Sequence, residues 1–374
     1  MKTPLRSLYM RVACLGVAAV ALACAARTPA PESAAPAPIS VGNVVVSPLG
    51  GGVFAAIRRE PVGLAQNANS LFIVNDSDVV VVDAQFTRLA TLENLAALRQ
   101  ITPKPVRWVI NTHWHDDHVA GNQVYQDSFP GVRFIAQTNT KVDLVEKGRP
   151  NRDAQVRYAP AAADRIERML SLGLGPDSSP VADAEAASLS SAVRIVRQYV
   201  AEHAAFREVL PDSVVERQAT LVCGHRRIEL RWFGRANTRG DLIVWLPAEG
   251  IVATGDVLGA PVPFGFGSYP TEWIAVLDSM AALGAHVFVP GHGPVSDAAS
   301  LQQLRRTLAV ARERTRAAAQ RGDSLPQVLH EVTLADLRDE VAGSDAWARS
   351  FFDRFFRLPV VSRLYEEAKT GELK

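Results

Sequence analysis

Cysteine is scarce in this chain, with three residues in 374, and two of them, Cys14 and Cys24, fall in the first two dozen positions. Cys223 is left in the expected folded region. It lies in the apolar run Thr220-Leu221-Val222-Cys223, which suits a small buried side chain. A disulfide framework is therefore excluded. Excess charge is also lacking. The formal net charge is +1, and Lys2, Arg6 and Arg11 belong to a leader without acids, so the remainder carries −2. That balance, with Arg and Asp/Glu interspersed, offers no electrostatic footprint for nucleic acid. No low-complexity tract dominates, and short-period repeats are missing too. The apolar run Val12 to Ala23 falls short of the roughly 20 residues a membrane span needs.

That run follows Lys2, Arg6 and Arg11 and ends in Ala21-Leu22-Ala23, the three parts of an export signal. Residues 1–23 are expected to be a cleaved signal peptide, and the protein to be periplasmic or secreted. Cys24 follows at once, as in a lipoprotein lipobox, although that motif favours Leu where Ala21 stands. A lipid anchor through Cys24 and ordinary cleavage at Ala23-Cys24-Ala25 both stay open. Residues 24–40, rich in Pro and Ala from Thr28 onward, are read as an extended tether.

Beyond the tether, apolar runs alternate with turn residues. Leu71 to Val74 and Val79 to Val82 predict a hairpin across Asn75-Asp76-Ser77-Asp78. Leu89 to Arg99 has helical spacing, and Val106 to Asn111 and Val132 to Ala136 read as strands. Arg227 to Phe233, Leu242 to Leu246, Ile251 to Thr254 and Val287 to Val289 repeat the plan, with a helix over Ile274 to Leu283. Two halves of strands and helices imply a layered α/β domain over residues 41–300. A helical insertion is expected from about Asp143 to Ala219, and a helical C-terminal extension over residues 301–374. In that extension Trp347, Phe351, Phe352, Phe355 and Phe356 recur at helical spacing, which is read as core packing.

The most informative run is Thr112-His113-Trp114-His115-Asp116-Asp117-His118, directly after a strand. Eight histidines occur in the whole chain, so three within six residues argue for a purpose. Alternating side chains after a strand let His113 and His115 reach one metal, and the turn lets Asp117 and His118 reach another. Imidazole and carboxylate are zinc's usual catalytic ligands, and a site short of four protein ligands leaves room for water. His203, His225 and His330 have no such company and are read as structural, and His286, though near His292, stands before the strand and is expected at the opposite edge. The segment Gly259 to Pro270, with Phe264 and Phe266, is either a pocket wall or a packed loop.

The pattern His-x-His-x-Asp-His resembles the signature of the metallo-β-lactamase superfamily. Thr254-Gly255-Asp256 and Pro290-Gly291-His292-Gly293-Pro294 match its later motifs, and Asp83 stands where the family has a supporting acid. The resemblance spans roughly residues 42 to 300 and implies a four-layer αββα sandwich with two metal ions at one edge. By resemblance one metal is held by His113, His115 and Asp256, and the other by Asp117, His118, Asp256 and His292. A hydroxide between them attacks the substrate, with Asp117 orienting it. One residue departs from the pattern. Asn237, in Gly234-Arg235-Ala236-Asn237-Thr238, replaces the expected histidine and offers zinc only a neutral carbonyl oxygen. Two zinc ions with the first weakened, a single ion, or manganese or iron are the readings this leaves.

The resemblance implies an enzyme, a metal-dependent hydrolase of a small molecule with an ester, thioester, lactone or amide-type bond, and the leader implies that it is exported. A periplasmic β-lactamase and a non-catalytic metal-binding envelope protein are the alternatives, the latter resting on Asn237. Fold alone does not choose among substrates, and the sequence is silent on oligomeric state.

Overall fold

The computed structural model describes residues 37–61, 63–175 and 178–373. The leader, Cys14, Cys24 and most of the Pro/Ala-rich stretch lie outside the described residues. Two sheets carry the fold. The first has eight strands in sequence order: β1 (Ile39–Val41), β2 (Val44–Gly50), β3 (Val53–Arg58), β4 (Ser70–Val74), β5 (Val79–Val82), β6 (Val106–Ile110), β7 (Arg133–Gln137) and β8 (Ser213–Val215). Pairing is antiparallel up to β5 and parallel from β5 to β8. The second sheet has the order β13-β12-β11-β10-β9. It comprises β9 (Gln218–Cys223), β10 (Arg226–Arg231), β11 (Ile243–Leu246), β12 (Ile251–Gly259) and β13 (Val287–His292), with only β12 and β13 parallel.

Strand β5 shows why these residues make this layering. It is four valines, all buried. β-Branching favours the extended chain, and alternation sends successive side chains to opposite faces. Val80 and Val82 join Leu71, Ile110, Val244 and Val289 in the core between the sheets. Val79 and Val81 join Leu95, Leu98 and Val124 under α1 (Arg88–Ile101) and α3 (Asn122–Ser128). Between those two helices, α2 (Asp116–Val119) carries the end of the histidine run. The far face of the second sheet is covered by α7 (Pro270–Ala281) and α8 (Ala298–Arg321), through Trp273, Leu277, Leu301 and Leu308. The result is the expected helix–sheet–sheet–helix sandwich.

The remaining helices follow the sequence reading with two differences. α4 (Thr138–Asp143) leads toward α5 (Arg149–Ser171), which packs on α6 (Asp183–Glu202). Helix was expected as far as Ala219, but Ser213–Val215 and Gln218–Cys223 are strands. β8 is stabilised by pairing with β7, a contact between distant segments that local periodicity does not register. Three strands over residues 39–58 also precede the first strand read from the sequence. The C-terminal stripe is core as expected: Trp347, Phe351, Phe352 and Phe356 are buried together with Trp273 and Leu308. Replacing fully buried Phe356 with Ala should therefore cost about 3–5 kcal/mol in urea unfolding. A loss under about 1 kcal/mol would mean the extension is not part of that core.

Candidate functional site

The parallel strands point their carboxyl ends to one edge, the place where open α/β sheets present their ligands. Asp83 follows β5 there, in a left-handed conformation with φ of 59°. Its Oδ1 accepts from the Thr112 amide at 2.7 Å, and its Oδ2 takes the Thr112 hydroxyl and His118 Nδ1, each at 2.8 Å. The loop after β6 is thereby held against β5. The same edge joins the two sheets. The Leu242 amide donates to Thr112 O at 2.8 Å, and Asn69 donates through Nδ2 to Pro290 O and Gly293 O. Two glycines permit this crowding. A Cβ on Gly255, whose φ is +51°, would run into Thr112, and one on Gly291 would run into the Asp256 carboxylate.

Within this frame Asp117, His118, Asp256 and His292 form a ring. His118 Nε2 lies 3.5 Å from Asp117 Oδ2 and 3.3 Å from Asp256 Oδ1. His292 Nε2 lies 3.0 and 3.5 Å from the same two oxygens. On the other side of Asp256, Oδ2 is 3.6 Å from His113 Nε2, which in turn is 2.9 Å from His115 Nδ1. The ligand-type atoms of His113, His118 and Asp256 cluster together, and so do those of Asp117, His118 and His292. His115 stands beside them through its contact with His113. Asn237 contacts the Phe264 carbonyl, donating from Nδ2 at 2.6 Å. That contact turns its Oδ1 into a buried acceptor with no partner.

This donor set fits a metal ion. His118 Nε2, Asp256 Oδ1 and His292 Nε2 are buried and unsatisfied by any hydrogen bond, a costly arrangement for a protein interior unless something else takes their lone pairs. The four imidazole–carboxylate contacts of the ring, 3.0–3.5 Å long, bring nitrogen and oxygen donors close enough to share an ion. The electrostatics agree. Burial, then the neighbouring imidazoles, hold His113 well below its ordinary pKa, in the neutral form that ligates. Burial opposes charge on His118 and His292, yet the facing carboxylates overcome it and raise both. Burial likewise would raise Asp117 and Asp256, but the imidazoles hold both below the usual range. Carboxylates and imidazoles thus favour each other's charged forms, and a divalent cation bound there would displace any protons on the rings.

Asp116, passed over in the sequence, is the other organising residue. Its carboxylate accepts from Arg152 Nη2 of α5 and from the Tyr199 hydroxyl of α6, each at 2.7 Å. The only sequence signal was a second acid inside the motif. Its partners lie 36 and 83 residues away and were not legible. Next to the ring is a cavity of about 400 Å3, with His115, Asp117 and Asp256 at its floor. Phe264 and Phe266 line it and also pack on Phe355, so both readings of that segment hold. A larger cavity of about 500 Å3, between the Pro261 loop and α8, is lined by none of the clustered side chains.

The family model of the metallo-beta-lactamase superfamily matches residues 64–292, well over half of the chain, and the protein belongs to that superfamily. A linear primary-alkylsulfatase from Pseudomonas sp. (strain ATCC 19151) is 24% identical over 245 residues, 61% of this chain and 42% of that protein. A type 2 metallo-beta-lactamase from Bacillus sp. (strain 170) is 25% identical over 166 residues, 43% of this chain and 59% of that protein. The chain thus spans about half the length of the curated relatives it matches. Among solved structures, a metallo-beta-lactamase from Pseudomonas aeruginosa in its mono-zinc form superposes with a TM-score of 0.50 at 14% identity. It covers 72% of this chain and 97% of its own, and shows the shared fold.

Gly255→Ala tests the crowding at this edge. The left-handed backbone and the collision with Thr112 together should cost about 2–4 kcal/mol in denaturant unfolding. An unchanged midpoint would show that Thr112 is free to move away.

Proposed function

We propose that this chain is an exported zinc-dependent hydrolase cleaving an ester, thioester, lactone or amide-type bond in a small molecule. The ring on Asp117, His118, Asp256 and His292 carries this reading, because it sets two buried imidazole nitrogens within 3.0–3.5 Å of two carboxylates. These four residues would hold one zinc ion. His113, His115 and Asp256 would hold a second, with Asn237 Oδ1 its weakest ligand. Zinc supplies Lewis acidity there and brings the pKa of a water down toward neutrality.

The chain's own residues supply the rest. Asp117 stays anionic beside His292, so it accepts a hydrogen bond from an incoming water and orients it. Asp83 accepts at His118 Nδ1, which fixes that ring's orientation and leaves Nε2 facing the ring. The cavity of about 400 Å3 is of small-molecule size. The names of the relatives add a sulfate ester and a β-lactam to the bonds worth testing. Export rests on the leader pattern of Lys2, Arg6, Arg11 and the run Val12 to Ala23. Mass spectrometry of the native N-terminus reads cleavage there and any lipid on Cys24.

The deciding experiment is elemental analysis of protein purified without chelator, followed by a panel of carboxylic esters, thioesters, lactones, an alkyl sulfate and β-lactams. About two zinc ions per chain and turnover of at least one member are expected. Stoichiometric metal without turnover of any member would favour a non-catalytic metal-binding protein. Asp83→Asn gives a second check. Its single carbonyl cannot serve the Thr112 amide and His118 Nδ1 as the carboxylate does, so zinc affinity should fall about 10–100-fold in a chelator competition. Unchanged affinity would remove Asp83 from the site.

A further inference from the structure

The helical insertion is fastened at one point to the loop that carries the histidines. Asp116 lies between His115 and Asp117, is 4% exposed, and has both carboxylate oxygens engaged, one by each insertion helix. Arg152 is further held by Glu208 at 3.3 Å and lies over the Phe206 ring. The Tyr199 ring stacks on Phe86 at 4.2 Å with an interplanar angle of 2°. Phe86 itself lines the cavity beside the ring of ligand-type atoms. A buried carboxylate held at both oxygens, one of them by a charge-assisted bond, has its direction fixed as well as its position.

The fastening decides what faces the cavity. Asn151, Gln155 and Ala159 of α5 line it, at the i, i+4, i+8 spacing that puts three side chains on one helix stripe. Val196 of α6 lines it too, and Leu64, Phe86, Phe264 and Phe266 are its other large apolar groups. Among the described residues that line it, none is Lys or Arg. Arg152, one position from the stripe, has its guanidinium turned to Asp116 and Glu208. The acids of the lining, Asp116, Asp117 and Asp256, all sit at the floor. A charged group on the part of a substrate remote from the scissile bond would lose water and find no counter-charge. A neutral group would meet three amides, those of Gln66, Asn151 and Gln155, and an apolar wall.

We infer that the α5–α6 hairpin, latched through Asp116, Arg152 and Tyr199, is the specificity element of this site. It selects substrates whose portion remote from the reacting bond is uncharged. Asn151 and Gln155 are the residues that touch that portion, and Tyr199 is a positioning residue that acts through Asp116. The inference rests on the hydrolase reading above and adds the substrate class.

The test uses two esters with the same leaving group and the same chain length, 4-nitrophenyl butyrate and 4-nitrophenyl hemisuccinate, which differ by a terminal carboxylate. Their kcat/KM ratio is the readout, because non-productive binding of the carboxylate cancels from it. The metal-loaded protein should prefer the butyrate by at least about tenfold, which corresponds to about 1.4 kcal/mol. Gln155→Lys should cut that preference about tenfold, mainly by lowering KM for the hemisuccinate. Tyr199→Phe should raise KM for the butyrate several-fold, with the loss falling on KM rather than kcat and with bound metal per chain as in the parent. Equal or better use of the hemisuccinate by the parent overturns the inference, as does a ratio insensitive to Gln155→Lys. So does turnover of another panel member with neither ester accepted, and in each of these cases the hydrolase reading stands. If nothing in the panel is cleaved, the hydrolase reading falls and the inference falls with it.

Discussion

The site depends on one buried carboxylate. Asp83 takes the Thr112 amide and hydroxyl and the His118 ring within 2.7–2.8 Å, at a strand end where its own backbone is left-handed. The Thr112 carbonyl then receives the Leu242 amide from the segment entering the second sheet, and Gly255 on β12 leaves room for the Thr112 side chain. One acid thus sets the loop of the histidine run, the orientation of a metal-facing ring, and the distance between the sheets at their functional edge. Removing it would leave buried donors without acceptors, a far larger penalty than the loss of one surface contact.

Around that point, burial and charge act in opposition. Six ionisable side chains are packed where water is scarce, and each alone would neutralise. Together Asp117 and Asp256 raise the pKa of His118 and His292, and those rings lower the pKa of the carboxylates. A dication bound there would displace any protons on those rings and be held by the Nε2 nitrogens and the carboxylates together. Binding chemistry is thereby built into the packing of the sandwich.

Two additions to the sandwich reach this edge. The insertion arrives through Asp116, which touches α5 and α6 at once. The C-terminal extension arrives through aromatic packing: Phe264 meets Phe351 and Phe355 edge-on, at 5.2 and 5.6 Å. The Phe264 carbonyl meanwhile accepts from Asn237, fixing which end of that amide is free. Both additions therefore shape the cavity, one by an ion pair and one by core contacts.

Much of this was legible in the linear chain. The run from His113 to His118, Asp256 after Thr254-Gly255, and His292 between two glycines are local patterns. Each follows a short apolar run that is itself local, so convergence at one edge followed from layering, although β12 continues through Asp256 and β13 ends on His292. The valines of β5 and the aromatic stripe from Trp347 to Phe356 declared their burial in the same way. Strand β8 did not, because three residues carry too little periodicity and their stability comes from pairing with β7. Neither did the role of Asp116, whose partners Arg152 and Tyr199 are set by how two helices lie on the motif, nor the direction of the Asn237 amide, set by a carbonyl 27 residues away. The sequence by itself determined the ligand types, the layers and the edge, because those depend on spacing between neighbours. Only the tertiary structure decided which lone pairs are left free and what walls the cavity, because those depend on contacts between segments that no local pattern relates.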